Sequence, residues 1–289
     1  MCSSDLSNLG LGWPDRVSAA TVTGGSWQAS LPVTNVADRR ITRPARSTSA
    51  ASANTVIVID CGGTRSMRAF ALINHNFQST AQWRIKASLT ALGSTDVLDT
   101  GARNVLQMSL SPDVLEWEDS GWWEGIGDGW LRNMHPVFYV HSGQISARYV
   151  RIEITDTTNP DGYVQVGRAI VAPMLVPFWN DDLGRGNGFI DFNTFDTGEA
   201  GAEFARLGRK VKRERVSLSW LREQEARFLR GISRQRGTDD DVLYVPDVGD
   251  SAAQQEYGFL GRIETGLDDI DRPQNGDVRR VTLGLRERT

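Results

Sequence analysis

Between residues 55 and 171 the chain consists of short apolar runs, each cut off by a cluster of Gly, Pro, Asn or Asp. Thr55-Val-Ile-Val-Ile-Asp60 is β-branched from end to end of its apolar part and follows a small, polar stretch at 47–54. It reads as a strand fed by a loop. Further strands are predicted at 66–73, 81–87, 105–108, 137–140, 149–155 and 163–171. Residues 148–155, Arg-Tyr-Val-Arg-Ile-Glu-Ile-Thr, alternate with the period of a pleated strand, Tyr149 being assigned to the face opposite the charges. The Asn-Pro and Asp-Gly pairs between Asp156 and Gly162 then form a turn before the chain resumes at Tyr163. Many short strands with such punctuation predict a β-sandwich.

The pattern changes beyond residue 175. Residues 177–198, rich in Gly, Asp and Asn with spaced aromatics, read as a junction. A strand at 211–218 follows, and Ser219 is placed to cap a helix over 220–234, closed by Gly237. Strands at 242–246, 257–264 and 278–286 surround it. The expected organisation is an N-terminal arm (1–30), a sandwich (31–175), a linker (176–205) and a smaller, β-barrel-like unit with one α-helix (206–289), mainly β overall. A chain of 289 residues is long enough for two such units.

Several pieces of the sandwich resemble discoidin, or coagulation-factor C-type, domains. Pro32-Val-Thr-Asn35-Val-Ala-Asp38 resembles their P-x-x-N-x-x-D opening, and Ile57-Val-Ile-Asp60-Cys-Gly62 their I-x-V-D-L-G strand. Leu72-Ile-Asn-His75-Asn76 resembles I-x-L-x-x-H-N, and Ala147-Arg-Tyr-Val-Arg-Ile152 resembles A-R-Y-V-R-I. The resemblance, in the right order over the whole region, implies a galactose-binding-like jelly roll without implying that galactose is bound. Residues 206–288 more loosely resemble the closing part of bacteriophage tail proteins of the distal-tail or minor-tail type. That resemblance implies a β domain that assembles as a ring.

The composition narrows the partners. A formal charge of −4 gives the chain as a whole no attraction for DNA, RNA or anionic lipid, so no sequence-specific nucleic acid is expected. Two cysteines, Cys2 and Cys61, are too few for a disulfide framework or a thiolate metal site. The opening residues lack the basic and apolar regions of a signal peptide, and no apolar run is long enough to span a membrane.

No catalytic residue, cofactor or metal ligand is expected. Asp60-Cys-Gly-Gly-Thr-Arg65 reads as a turn between strands, since no P-loop pattern surrounds its glycines. His75, His135 and His141 lie in no metal-binding spacing. Asp181-Asp182, Asp239-Asp240-Asp241 and the trio Asp156, Asn159 and Asp161 read as turn residues, because none has the calcium-loop spacing. Glu116, Glu118, Asp119 and Glu124 supply carboxylates for a glycosidase pair, but acids are spread along the whole chain.

The segment 116–130 carries Trp117, Trp122, Trp123 and Trp130 among acids and glycines. Two readings stand: packing or a subunit contact, which is preferred, and a platform on which sugar rings stack. Trp220, Leu221, Phe228, Leu229 and Ile232 are expected to anchor the helix on its domain. The basic run Lys210-Val-Lys-Arg-Glu-Arg215 is read as an exposed strand or a source of inter-subunit salt bridges, and Arg222, Arg227, Arg230, Arg234 and Arg236 as a solvated or subunit-facing helix side. The expected protein is a virion structural component of a phage tail, assembled in the host cytoplasm, that forms a homo-oligomeric ring and meets other tail proteins. The alternative is a carbohydrate-binding adhesion module for a host-surface glycan.

Overall fold

The computed structural model describes residues 8–90, 97–106, 117–118, 122, 136–182, 185–197, 203–236, 240–265 and 279–288. They form two antiparallel sheets. The first holds eight strands: β2 (Thr21–Thr23), β3 (Ala45–Arg46), β4 (Val56–His75), β5 (Gln82–Ser88), β6 (Leu98–Asp99), β7 (Arg103–Asn104), β8 (Val137–Thr155) and β9 (Gln165–Ala172). The second holds β1 (Gly10–Gly12), β10 (Met174–Leu175), β11 (Gly186–Asp191), β14 (Lys210–Leu221), β15 (Val242–Val245), β16 (Phe259–Thr265) and β17 (Arg279–Glu287), in the order β10-β1-β15-β16-β17-β14-β11. A separate hairpin, β12 (Thr194–Thr197) and β13 (Glu203–Arg206), leaves the second sheet beside β11. Two α-helices, α1 (Glu223–Arg236) and α2 (Ser251–Tyr257), accompany the sheets among the described residues.

The mainly β architecture is as expected, but the predicted strand breaks at 61–65 and 141–148 are absent. Both pairs of short strands are single long ones, β4 and β8, which pair along their length with two shifts of register. β4 carries extra residues between Asp60 and Arg65, and β8 carries them between Val140 and Ile145. Matched bulges bend both strands together, so the ladder continues while the sheet folds over. Gly62 takes φ of 69°, a left-handed conformation that a side chain rarely adopts, and Asp60 Oδ1 accepts its N–H at 2.9 Å. The glycine pair is therefore a bend within one strand. Of the predicted strand at 105–108, Val105 is buried but not in a strand, and 107–108 lie outside the described residues.

Folding over brings Ile57 and Ile59 of the first half of β4 into one core with Phe70 and Leu72 of its second half. Trp83, Ile85, Val150, Ile152 and Ile154 join them, all buried. Tyr149 lies on the other face from this set, stacked under Arg148 at 4.7 Å and on the side of Arg151 and Glu153. The sequence reading had placed it with the apolar residues; the core-facing register is Val150, Ile152, Ile154.

β4 and β9 are apolar on both faces. Phe70 and Leu72 point into the sandwich, while Ala69, Ala71 and Ile73 point out and pack with Ile170 and Ala172 against Leu243, Val245 and Leu260 of the second sheet. Sheets buried on both sides are what near-continuous apolar runs encode. At the end of this shared layer Arg168, 1% exposed, bonds both Asp15 (3.0 Å) and Asp241. Asp241 also accepts from Arg39 at 3.1 Å and from Arg288. Burial alone would raise the Asp241 carboxyl, but the hydrogen bond from Arg39 and the Arg168 and Arg288 charges hold it below the ordinary range. Removing one member of such a set leaves a buried charge unpaired, so it fixes how the two sheets sit.

The expected arm and linker are parts of these sheets. Gly10–Gly12 pairs with both β10 and β15, and Leu9, Leu11 and Trp13 complete the core beneath α1. Thr21–Thr23 pairs with β4, and Gly186–Asp191 adds an edge strand to β14.

Candidate functional site

α1 begins at Glu223 rather than at Trp220, because β14 runs through to Leu221. The Ser219 hydroxyl, expected to cap the helix, is given instead to Asp182. Glu225 takes over: one carboxylate oxygen accepts the Arg222 N–H at 2.7 Å, the reach-back of a capping box. Its other oxygen accepts the Phe178 N–H at 2.8 Å, tying the chain after β10 to the helix start. Leu221, Leu229 and Ile232 are fully buried and Phe228 half-buried against Trp13, edge to face at 5.7 Å. Trp220 does not anchor the helix: it is 59% exposed.

Trp220 is one of several exposed aromatic side chains between residues 178 and 220. Phe178 and Trp179, both exposed, meet edge to face at 5.2 Å, and the Arg222 guanidinium lies 3.5 Å over the Phe178 ring. Along the free edge, Phe189 of β11 is 69% exposed, Phe195 of the hairpin 64%, and Leu207 just past it 84%; Phe192, between β11 and the hairpin, is also exposed. β11 pairs only with β14, so its other side carries unpaired backbone groups among the described residues. A free edge is a template for another chain, and proteins usually blunt it with charge or proline. Here large apolar side chains flank it. Exposed apolar side chains beside a free edge suit association with another chain.

The second candidate surface is the Trp-rich segment. Trp117, exposed, and Trp122, half-buried, sit 4.9 Å apart with their rings inclined at 63°. Trp123 and Trp130 lie outside the described residues, as do Glu116, Asp119 and Glu124 of the imagined acid pair, His135 and Asp239.

The remaining polar candidates have local partners. His75 is buried, stacked on Phe77 at 4.2 Å, and accepts the Phe77 N–H; His141 engages Gly143. Asn159 donates to Asp156 at 2.8 Å and accepts from Asp161 N, and the turn is tied to the end of β4 through Asn76, which donates to Asp161. Asp181 holds Arg185, and Asp240 accepts from the Trp13 indole. Arg227 and Arg230 pair with Glu223 on the helix surface. Among the described residues no group of three or more His, Cys, Asp or Glu converges as a metal site, and no helix is long and apolar enough to cross a membrane. The sequence reading missed two polar centres: the Asp241 set, whose members lie far apart in the chain, and Glu214. Glu214 is buried in the second core, where it accepts from Tyr244 at 3.1 Å, and burial pushes its carboxyl up to about 7.

No protein family matches the sequence, and no curated protein is similar to it. Among solved structures, a family 32 carbohydrate-binding module from C. perfringens NanJ, in complex with galactose, is 12% identical with a TM-score of 0.38; the match covers 57% of this chain and 99% of that one. Chitosan-binding module 1 from a chitosanase/glucanase of Paenibacillus sp. IK-5 is 15% identical with a TM-score of 0.34, covering 55% and 98%. For SpGH29 the values are 11% and 0.38, with 56% of this chain covering 28% of that one. None of these likenesses lends the chain a ligand or an activity.

Proposed function

We propose that the protein is a non-catalytic assembly subunit, a bacteriophage tail component of the distal-tail or minor-tail type that joins copies of itself into a ring and meets other tail proteins. Its place would be the virion, after assembly in the host cytoplasm. The observation that carries this reading is the free edge of β11 and its hairpin, flanked by exposed Phe189, Phe192, Phe195 and Leu207. Packing two such faces together removes these side chains from water at about 25 cal/mol per Å². The rigid union of the two sheets through the shared apolar layer and the Asp241 set supports the same reading, because a ring needs subunits of fixed shape.

The test is light scattering of the purified chain beside the variant Phe189→Glu/Phe195→Glu. A closed oligomer in the wild type and a folded monomer in the variant support assembly through this edge; a wild type that stays monomeric as it is concentrated overturns it.

A second reading rests on the Trp117 and Trp122 pair. An exposed indole beside a second ring is the platform on which the apolar face of a pyranose stacks. On this reading the sandwich is a carbohydrate-binding module for a host-surface glycan. A glycan array decides it: retention that disappears in Trp117→Ala supports adhesion, and no retention of any glycan removes it.

A further inference from the structure

The outer face of β11, β14 and β17 holds an open groove of about 830 Å³. Its charged lining is Arg213, Arg215 and Arg280, all exposed, with no carboxylate among the lining residues. Arg215 lies in register between Gly186 of β11 and Gly284 of β17, and Arg213 lies beside Gly188. Glycines flank Arg215 on both sides and Arg213 on one, its neighbour on β17 being Arg286, and a side chain added at Gly188 would meet nothing within 4 Å. Glu264, the acid at this end of β16, is already held by Arg262 and Arg286. Among the described residues none of the three groove arginines has an ion-pair partner. Among the described residues, three cations without a carboxylate partner therefore share one trough, in a chain whose net charge is −4.

The sequence reading treated Arg213 and Arg215 as an exposed strand or as salt-bridge donors. The structure gives them a shared recess with Thr265 and Thr282 as neutral hydrogen-bonding neighbours. Guanidinium forks match carboxylate or sulfate oxygens in two parallel hydrogen bonds. The Thr265 and Thr282 hydroxyls match the hydroxyls of a sugar ring. The volume is that of a small-ligand site, roughly 300–1,000 Å³. A nucleic-acid strand fits less well, since it needs successive aromatic platforms.

We propose that this groove binds an acidic oligosaccharide, its carboxylate or sulfate groups held by Arg213, Arg215 and Arg280. The site is separate from the Trp117 and Trp122 pair.

The experiment is calorimetric titration of the full chain with two probes, an oligogalacturonate and a heparin-derived oligosaccharide of similar length. Neutral galactan and a single-stranded oligonucleotide of matched charge are the comparisons. Saturable binding of either acidic sugar is expected, weakening as salt rises and falling at least tenfold in Arg213→Gln/Arg215→Gln, with Arg213→Lys/Arg215→Lys intermediate. Because the side chains are exposed, the thermal transition of both variants should match the wild type, which separates lost binding from lost folding. Absence of binding to both acidic sugars overturns the proposal, as does binding unchanged in the Gln variant or tighter binding of the oligonucleotide.

Discussion

Glu214 is buried on the inner face of β14, and its carboxyl is pushed up to about 7 by burial, against the opposing pull of the Tyr244 hydroxyl and the Arg185 charge. The ordinary value is 4.5, so the folded chain holds this proton over a range of pH where the unfolded chain has released it. Stability linked to the protonated form is complete below about 4.5, declines as pH rises, and is lost once pH passes about 7. At about 1.4 kcal/mol for each pH unit of displacement, the loss across that window is about 3 kcal/mol. Glu214→Gln removes the titration and keeps a carbonyl oxygen for Tyr244 to bond. Urea denaturation followed by tryptophan fluorescence should find the variant close to the wild type at pH 4.5 and about 3 kcal/mol more stable at pH 8. All other titrating groups are common to both proteins and cancel in the difference. A difference that stays constant from pH 4.5 to 8 would refute the linkage.

Asp241→Ala strands the Arg168 guanidinium with Asp15 alone and should cost about 3–5 kcal/mol, read as a fall in urea midpoint. Leu229→Ala, at a fully buried helix position, should cost about 3 kcal/mol, whereas Trp220→Ala should stay within about 0.5 kcal/mol by calorimetry. Phe228→Ala, half-buried against Trp13, should fall between them at about 2 kcal/mol. Trp117→Ala should leave the melting temperature unchanged, and a shift of several degrees would mean that the exposed ring packs elsewhere.

The strands of the sandwich were legible wherever one face meets water. Residues 148–155 show it: the alternation is plain, and its phase lies one residue from the reading that sets Tyr149 opposite the charges, the core-facing residues being Val150, Ile152 and Ile154. The continuity of β4 and β8 was not legible, since Gly62 and Gly143 signal a turn and a bulge equally well. The union of the two sheets was hidden for a different reason. Ala69, Ala71 and Ile73 look like the back of an ordinary strand until a second layer is placed against them. Leu9, Leu11 and Trp13 alternate with glycines, a period-two signal for the strand that reaches the far core, but three residues are too few to read as an element. Helix α1 was read from its apolar stripe, and its start was misplaced because the tertiary contact of Ser219 with Asp182 outweighs local capping. The free edge at β11 could not be foreseen while 176–205 read as a junction, though the spacing of Phe189, Phe192 and Phe195 carried the clue.

Negative-stain microscopy of the purified chain tests assembly most directly. Closed rings of uniform symmetry are expected, and they should disappear in Phe189→Glu/Phe195→Glu while the thermal transition persists. Rings that survive that substitution, or a wild type that shows only single particles of one chain at every concentration examined, would contradict it.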